Sequence, residues 1–175
     1  MPQPPGPSQI RIVPLGGLGE IGMNCLAIEQ QDGILVVDCG VQFPEDDLGV
    51  DVIHPDFSWL VQRAERISGV VLTHAHEDHI GGLPYLLAEI DTPVWGSPYA
   101  LALVRRRLLE HDFRPHELRL RPAVAGQTCT VGPFEIEPVR VSHSIVEATA
   151  LRIETRAGTV LHTGDFNLDP DPPDG

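Results

Sequence analysis

Residues His74-Ala75-His76-Glu77-Asp78-His79 place three imidazoles and a carboxylate within six positions. Neutral imidazole nitrogens and carboxylate oxygens together suit a borderline divalent cation such as zinc. On an extended backbone His74 and His76 fall on the same side. Asp78 and His79 follow where the chain is expected to turn, within reach of a second cation close to the first. Two later residues extend the donor set. His143, in Ser142-His143-Ser144, follows the alternating run 134–141, and Asp165, in Thr163-Gly164-Asp165, follows Thr159-Val160-Leu161. A short carboxylate such as Asp165 can bridge two cations. A polar surface loop would explain any one of these residues alone; the density of the cluster argues against it.

The elements that must carry these groups read as strands. Val70-Val71-Leu72 leads into the cluster and Gly81-Gly82 leaves it, a pattern of strand, loop and helix start. Three strand ends with ligand-type residues predict one edge of a sheet. Along the chain the alternation and apolar runs predict strands at 10–14, 24–29, 33–38, 69–73, 117–121, 127–131, 133–141, 148–155 and 159–162. Helices are predicted at 57–67, 79–90 and 98–112. Phe57, Leu60, Val61, Ala64 and Ile67 have helical spacing, and Pro98 suits a first helical position. Residues 46–55 form an acidic loop. Gly17-Leu18-Gly19-Glu20-Ile21-Gly22 has the letters of a dinucleotide fingerprint, but a strand follows where that site needs a helix. The better account is a β-hairpin whose loop lies beside the metal residues.

The ordered set HAHEDH, His143 and Asp165 resembles the metal motifs of the metallo-β-lactamase superfamily. The resemblance narrows to the ribonuclease J family of the β-CASP group. It is carried by Pro14-Leu15-Gly16-Gly17-Leu18-Gly19-Glu20-Ile21-Gly22-Met23-Asn24, by Phe43-Pro44-Glu45-Asp46-Asp47 with Pro55-Asp56-Phe57, by His143-Ser144-Ile145, and by His162-Thr163-Gly164-Asp165-Phe166. One departure is Val146-Glu147, where that family usually has Pro-Asp; it leaves the ligands untouched and bears on the detail of the His143 loop.

This resemblance implies an α/β fold, the four-layer αββα sandwich of two halves, with only the first half in this chain. Residues 1–9 would be a flexible lead-in, 10–168 the N-terminal portion of the metallo-β-lactamase domain, and 169–175 a linker toward a β-CASP domain. The remainder would carry a last metal histidine, a catalytic-acid histidine and a pocket for the RNA 5′ end, and half a sandwich would bare an apolar sheet face. One ion would be held by His74, His76 and His143, the other by Asp78 and His79 with Asp165 bridging. Asp78 and His79 would be catalytic. Asp38, in Val36-Val37-Asp38-Cys39-Gly40, would orient ligands; an Asp ending a strand at a turn is the plain alternative. Thr73, Glu77 and His162 would lie beside the ligands or at the surface. The implied cofactors are two divalent ions, zinc or else manganese. The implied activity is hydrolysis of single-stranded RNA, 5′→3′ and with or without internal cleavage, in rRNA processing and mRNA decay. The full-length protein would be a homo-oligomer in the cytoplasm. A thioesterase or lactonase of the same fold, or an inactive fragment, are the alternatives.

Composition bounds these readings. One domain is expected of 175 residues, able to bury about 70% of its unfolded surface. The apolar fraction of 42% is that of a globular protein, and no apolar stretch approaches the roughly 20 residues of a membrane span. The Pro-rich start has neither basic nor apolar signal-peptide character. Cys25, Cys39 and Cys129 form no CxxC pattern and read as reduced structural thiols. Twelve Lys and Arg against 25 Asp and Glu give a net charge of −13, and two divalent ions would reduce this only to about −9. A nuclease would then depend on a local cation pair. The one basic concentration, Arg105-Arg106-Arg107 with Arg114, His116, Arg119 and Arg121, reads first as a solvated helix face.

Overall fold

The computed structural model describes residues 3–44 and 49–168. Part of the stretch expected as an acidic loop, and residues 169–175, expected as a linker, fall outside the described residues. Two sheets form. The first holds β1 (Arg11–Gly16), β2 (Cys25–Gln30), β3 (Gly33–Val37), β4 (Ile67–Val71), β5 (Val94–Gly96) and β6 (Leu120–Pro122) in sequential order. β1, β2 and β3 run antiparallel, and β3 to β6 run parallel. The second is antiparallel, built from β7 (Cys129–Val131), β8 (Phe134–Arg140), β9 (Thr149–Thr155) and β10 (Gly158–His162) in the order β10-β9-β8-β7. The helices are α1 (Ser58–Val61), α2 (Glu77–Ile80), α3 (Leu83–Glu89) and α4 (Pro98–Glu110).

The period of two along β3 sets the layers. Ile34 and Val36 join a core with Leu60, Leu83, Leu86, Val104 and Leu108 on the helical side. Leu35 and Val37 join a second core with Phe134, Ile136, Leu151 and Ile153 of the other sheet. A strand covered on both faces must be apolar throughout, as β3 is. The described residues thus form three layers: helices, first sheet, second sheet.

The outer face of the second sheet differs from the apolar face expected. Glu135 and Glu137 on β8 lie beside Glu154 and Arg152 on β9, and Arg152 pairs with both Glu137 and Glu154. Val139 and Leu161 are its exposed apolar members. The alternation therefore finishes this face with charge along much of its length.

Several boundaries depart from the sequence expectation; the strand expected at 117–121, for example, is Leu120–Pro122. The helix at 57–67 is interrupted after Val61, continues as a 3₁₀ turn at Ala64–Arg66, and gives way to β4 at Ile67. Ile67, assigned above to a helical stripe, packs from the strand instead. The helix at 79–90 starts earlier and is split into α2 and α3 at Gly81-Gly82. β5 lies outside every predicted strand, because three residues after Pro93 are too short to show alternation.

Two ties hold the sheets together. At one end the buried Gln30 amide donates to the Pro133 carbonyl, and its oxygen accepts from the Arg156 N–H. At the other, both the N–H and the hydroxyl of Thr149 donate to the Thr73 carbonyl.

The chain after β3 also straps α2. The N–H of Cys39 donates to the His79 carbonyl, that of Val41 to Glu77, and that of Gly82 to Cys39. Gly40 lies so close that a Cβ there would overlap the Asp78 carbonyl. Gly40→Ala is therefore expected to cost about 2–3 kcal/mol of overpacking, read as a lowered urea midpoint with unchanged slope. An unaltered midpoint would show that α2 is not held against this turn.

Candidate metal centre

β4 delivers the first ligand group. After Val71 the chain passes through Thr73 and His74 to His76, the N-cap residue of α2, which then carries Asp78 and His79. His143 lies in the turn after β8 and Asp165 beyond the end of β10. The donors thus come from the ends of two facing sheets, not from one sheet edge as predicted.

Three ring nitrogens converge. His76 Nδ1 is 3.0 Å from His74 Nε2 and 3.2 Å from His143 Nε2. A second group combines His74, His79 and Asp165, and each group has its ligand atoms within 4.8 Å of one another. Asp165 Oδ2 lies 3.5 Å from His79 Nε2 and 3.9 Å from His143 Nε2, between the two groups. Asp78 Oδ2 is 3.6 Å from His79 Nε2. Every predicted ligand is therefore in one place. Imidazole nitrogens facing each other can share only one proton per contact, so lone pairs are left pointing at a common centre. That donor set fits a borderline divalent ion.

Asp38 organises the rings. It is buried, and its carboxylate accepts from the Thr73 N–H, the Thr73 hydroxyl and His79 Nδ1, each at 2.8 Å. The Thr73 hydroxyl hydrogen is thereby committed. At 3.0 Å from His74 Nδ1 the hydroxyl oxygen accepts, which leaves His74 Nε2 as the nitrogen with the lone pair. Asp38 is thus more than a residue ending a strand: it and Thr73 fix which nitrogen of two rings faces the centre. Glu77, as expected, points elsewhere and pairs with Arg107. His162 accepts at Nδ1 from the Gly164 N–H, belongs to neither ligand group, and adds to the charge that lowers Asp38.

Electrostatics separate the rings. Burial, with the neighbouring His79, pushes His74 down to about 3. His143 is also lowered, first by burial and then by His76. For His79 burial acts downward, but Asp38, Asp78 and Asp165 outweigh it and push the ring up to about 9. Asp38 itself is held below the usual carboxylate range: burial opposes this, and the His79 charge and hydrogen bond prevail.

Asn24 was not singled out from the sequence as a site residue. Its Nδ2 donates to the Asp78 carbonyl at 3.2 Å and to Asp78 Oδ2 at 3.1 Å, and lies 3.0 Å from His79 Nε2. The available signal was its place at the end of the glycine-rich hairpin loop, where Gly17, Gly19 and Gly22 adopt positive φ. That loop and α2 line a cavity of about 700 Å³ with Glu20, Ile21, Gln42, Phe43, Glu77 and Asp78. Of the basic concentration, Arg106 pairs with Glu110, Arg107 with Glu77, and Arg119 with Asp91.

Residues 35–173 match the family described as a beta-lactamase superfamily domain. The chain belongs to the beta-lactamase superfamily. Within this superfamily it is 44% identical over 168 residues to ribonuclease J of Helicobacter pylori, covering 95% of this chain and 24% of that protein. It is 46% identical over 176 residues to ribonuclease J of Mycolicibacterium smegmatis, covering 99% of this chain and 31% of that protein. The chain thus spans about a quarter to a third of the length of these curated relatives, and corresponds to their N-terminal part. Among solved structures, the metallo-beta-lactamase fold protein YhfI from Bacillus subtilis aligns with a TM-score of 0.64 and 22% identity, over 90% of this chain and 63% of that one. Zn(2+)-bound PqqB from Methylobacterium extorquens aligns at 0.57 and 15%, over 80% and 48%. These two likenesses establish the fold.

Two outcomes are expected of this centre. Asp38→Asn should weaken divalent-metal binding by roughly 10- to 100-fold, measured by competition with a chelating dye; unchanged affinity would remove Asp38 from the design. At pH 7 the His79 ring, pushed up to about 9, carries a proton that a cation at Nε2 must displace. Affinity at that ring should therefore rise with pH up to about 9 and level off above it. Calorimetry in buffers of different ionisation enthalpy should register about one proton released from this ring near pH 7, and a heat independent of buffer would contradict it.

Proposed function

We propose that this chain is the N-terminal metal-binding part of a ribonuclease J-type enzyme that hydrolyses phosphodiester bonds of single-stranded RNA. The observation that carries the reading is the 44–46% identity to ribonuclease J over nearly the whole chain. The convergence of all the expected donors supports it independently.

His74, His76 and His143 would hold one divalent ion, and His79 and Asp78 the other with Asp165 between. The imidazole-rich donor set favours zinc, with manganese second. When bound, such a pair supplies Lewis acidity and lowers the pKa of water toward about 7. The chain's own groups do the rest. Asp38 and Thr73 hold the His79 and His74 rings with Nε2 presented. Asn24 fixes one oxygen of Asp78 and leaves the carboxylate at the wall of the neighbouring cavity, a third exposed, where it can accept a proton from the attacking water. His79 anchors that corner through Asp38.

The reading extends to 5′→3′ and internal cleavage in rRNA processing and mRNA decay, to a homo-oligomer of the full-length protein, and to the cytoplasm. Three free thiols are what a reducing compartment maintains.

Asp78→Asn in the full-length protein should lower RNA hydrolysis by roughly 10²–10³ while leaving folding intact. Turnover is followed on single-stranded RNA and, in parallel, on a thioester and a lactone. Wild-type RNA turnover in the variant would remove Asp78 from the mechanism, and thioester or lactone turnover without RNA cleavage would replace the nuclease reading altogether.

A further inference from the structure

His143 is held differently from His74 and His79. His74 and His79 are each oriented through Nδ1, by Thr73 and by Asp38. His143 Nδ1 is buried and has no hydrogen-bond partner among the described residues. Its ring takes its orientation instead from edge contacts with the His74 and His76 rings and from the backbone that carries it. That backbone is the turn between β8 and β9, closed by the Val141 N–H donating to the Ala148 carbonyl.

The Ser142 carbonyl, next to His143, also accepts from the Asn167 N–H, and Glu147 supplies a further anchor for this turn. Its Oε2 accepts from the Tyr99 N–H at 2.9 Å, in the first turn of α4. The start of α4 is otherwise satisfied from within: Pro98 has no N–H, Ala100 donates to Ser97 Oγ and Leu101 to the Ser97 carbonyl. Glu147 thus provides the partner for Tyr99, one of the donors a helix start leaves open, and a carboxylate is favoured there by the helix dipole. The contact crosses layers, from a turn of the second sheet to a helix packed on the first. It is also bought with strain, since Glu147 sits at φ 58, a conformation that non-glycine residues adopt only when their surroundings impose it.

The geometry points to Glu147 as a positioning residue: by capping α4 it fixes the turn that presents His143 Nε2 to His74 and His76. The inference rests on the metal-centre reading above. Glu147→Gly removes the carboxylate and relieves the positive φ, so it should fold at least as readily as the parent. In the full-length protein it is expected to lower zinc affinity about tenfold and to change the visible absorption of the cobalt(II)-loaded protein. Glu147→Gln, whose amide oxygen can still accept from Tyr99, should restore most of both. In a His143→Ala background Glu147→Gly should cost no further affinity, because its effect passes through that ring. Wild-type affinity and spectrum in Glu147→Gly, or a full additional loss on top of His143→Ala, would overturn the assignment. If His143→Ala itself left zinc affinity unchanged, the metal-centre reading would fail, and the role of Glu147 with it.

Discussion

A buried carboxylate is stable only when its oxygens are satisfied, and the satisfaction of Asp38 shapes the whole site. Asp38 adopts a left-handed backbone conformation, φ 57, directly after the central strand β3. Its oxygens collect an amide hydrogen and a hydroxyl hydrogen from Thr73 and an imidazole hydrogen from His79. Thr73 then passes the constraint outward twice. Its hydroxyl oxygen turns His74, and its carbonyl receives Thr149 from the second sheet. The residues immediately after Asp38 bind the backbone of α2. A single acidic side chain is thus coupled to two rings, one helix and the opposite sheet.

Charge elsewhere is arranged so that it competes little with this centre. The protein is acidic, with a net charge of −13. Much of its arginine is spent internally: Arg11 and Arg66 on the buried Glu29, Arg107 on Glu77, Arg119 on Asp91, Arg152 on its own sheet. Attraction of a polyanion over long range is weak under these conditions.

The ligand residues were legible because they lie close together in sequence or follow apolar runs at recognisable strand ends. The hairpin reading of the glycine loop was legible too, since a strand, not a helix, follows Gly22. What escaped is what depends on long-range packing. That β8 and β10 belong to a separate sheet cannot be told from their own alternation, which looks the same in either sheet. Asn24 carries no periodic signal, and its amide meets Asp78 only because the hairpin folds over α2. Ile67 satisfied a helical stripe by spacing, yet parallel pairing with Ile34 claims it for β4. The Gly81-Gly82 pair read as a helix start, and Gly82 does precede α3 as its N-cap; the separate short helix α2 before it escaped.

The Gln30 and Thr149 ties have a mechanical consequence. They pin the two sheets at opposite ends of the sandwich, one near the turns at Pro133 and Arg156, the other beside the metal residues. Two layers fastened at both ends resist both sliding and opening like a jaw. The remaining adjustable dimension is the thickness of the filling between them, set by Phe134, Ile136, Leu151 and Ile153 against Leu35 and Val37. The gauge of the ligand cluster, one part hung from each sheet, is therefore written in the volumes of hydrocarbon side chains that never approach it.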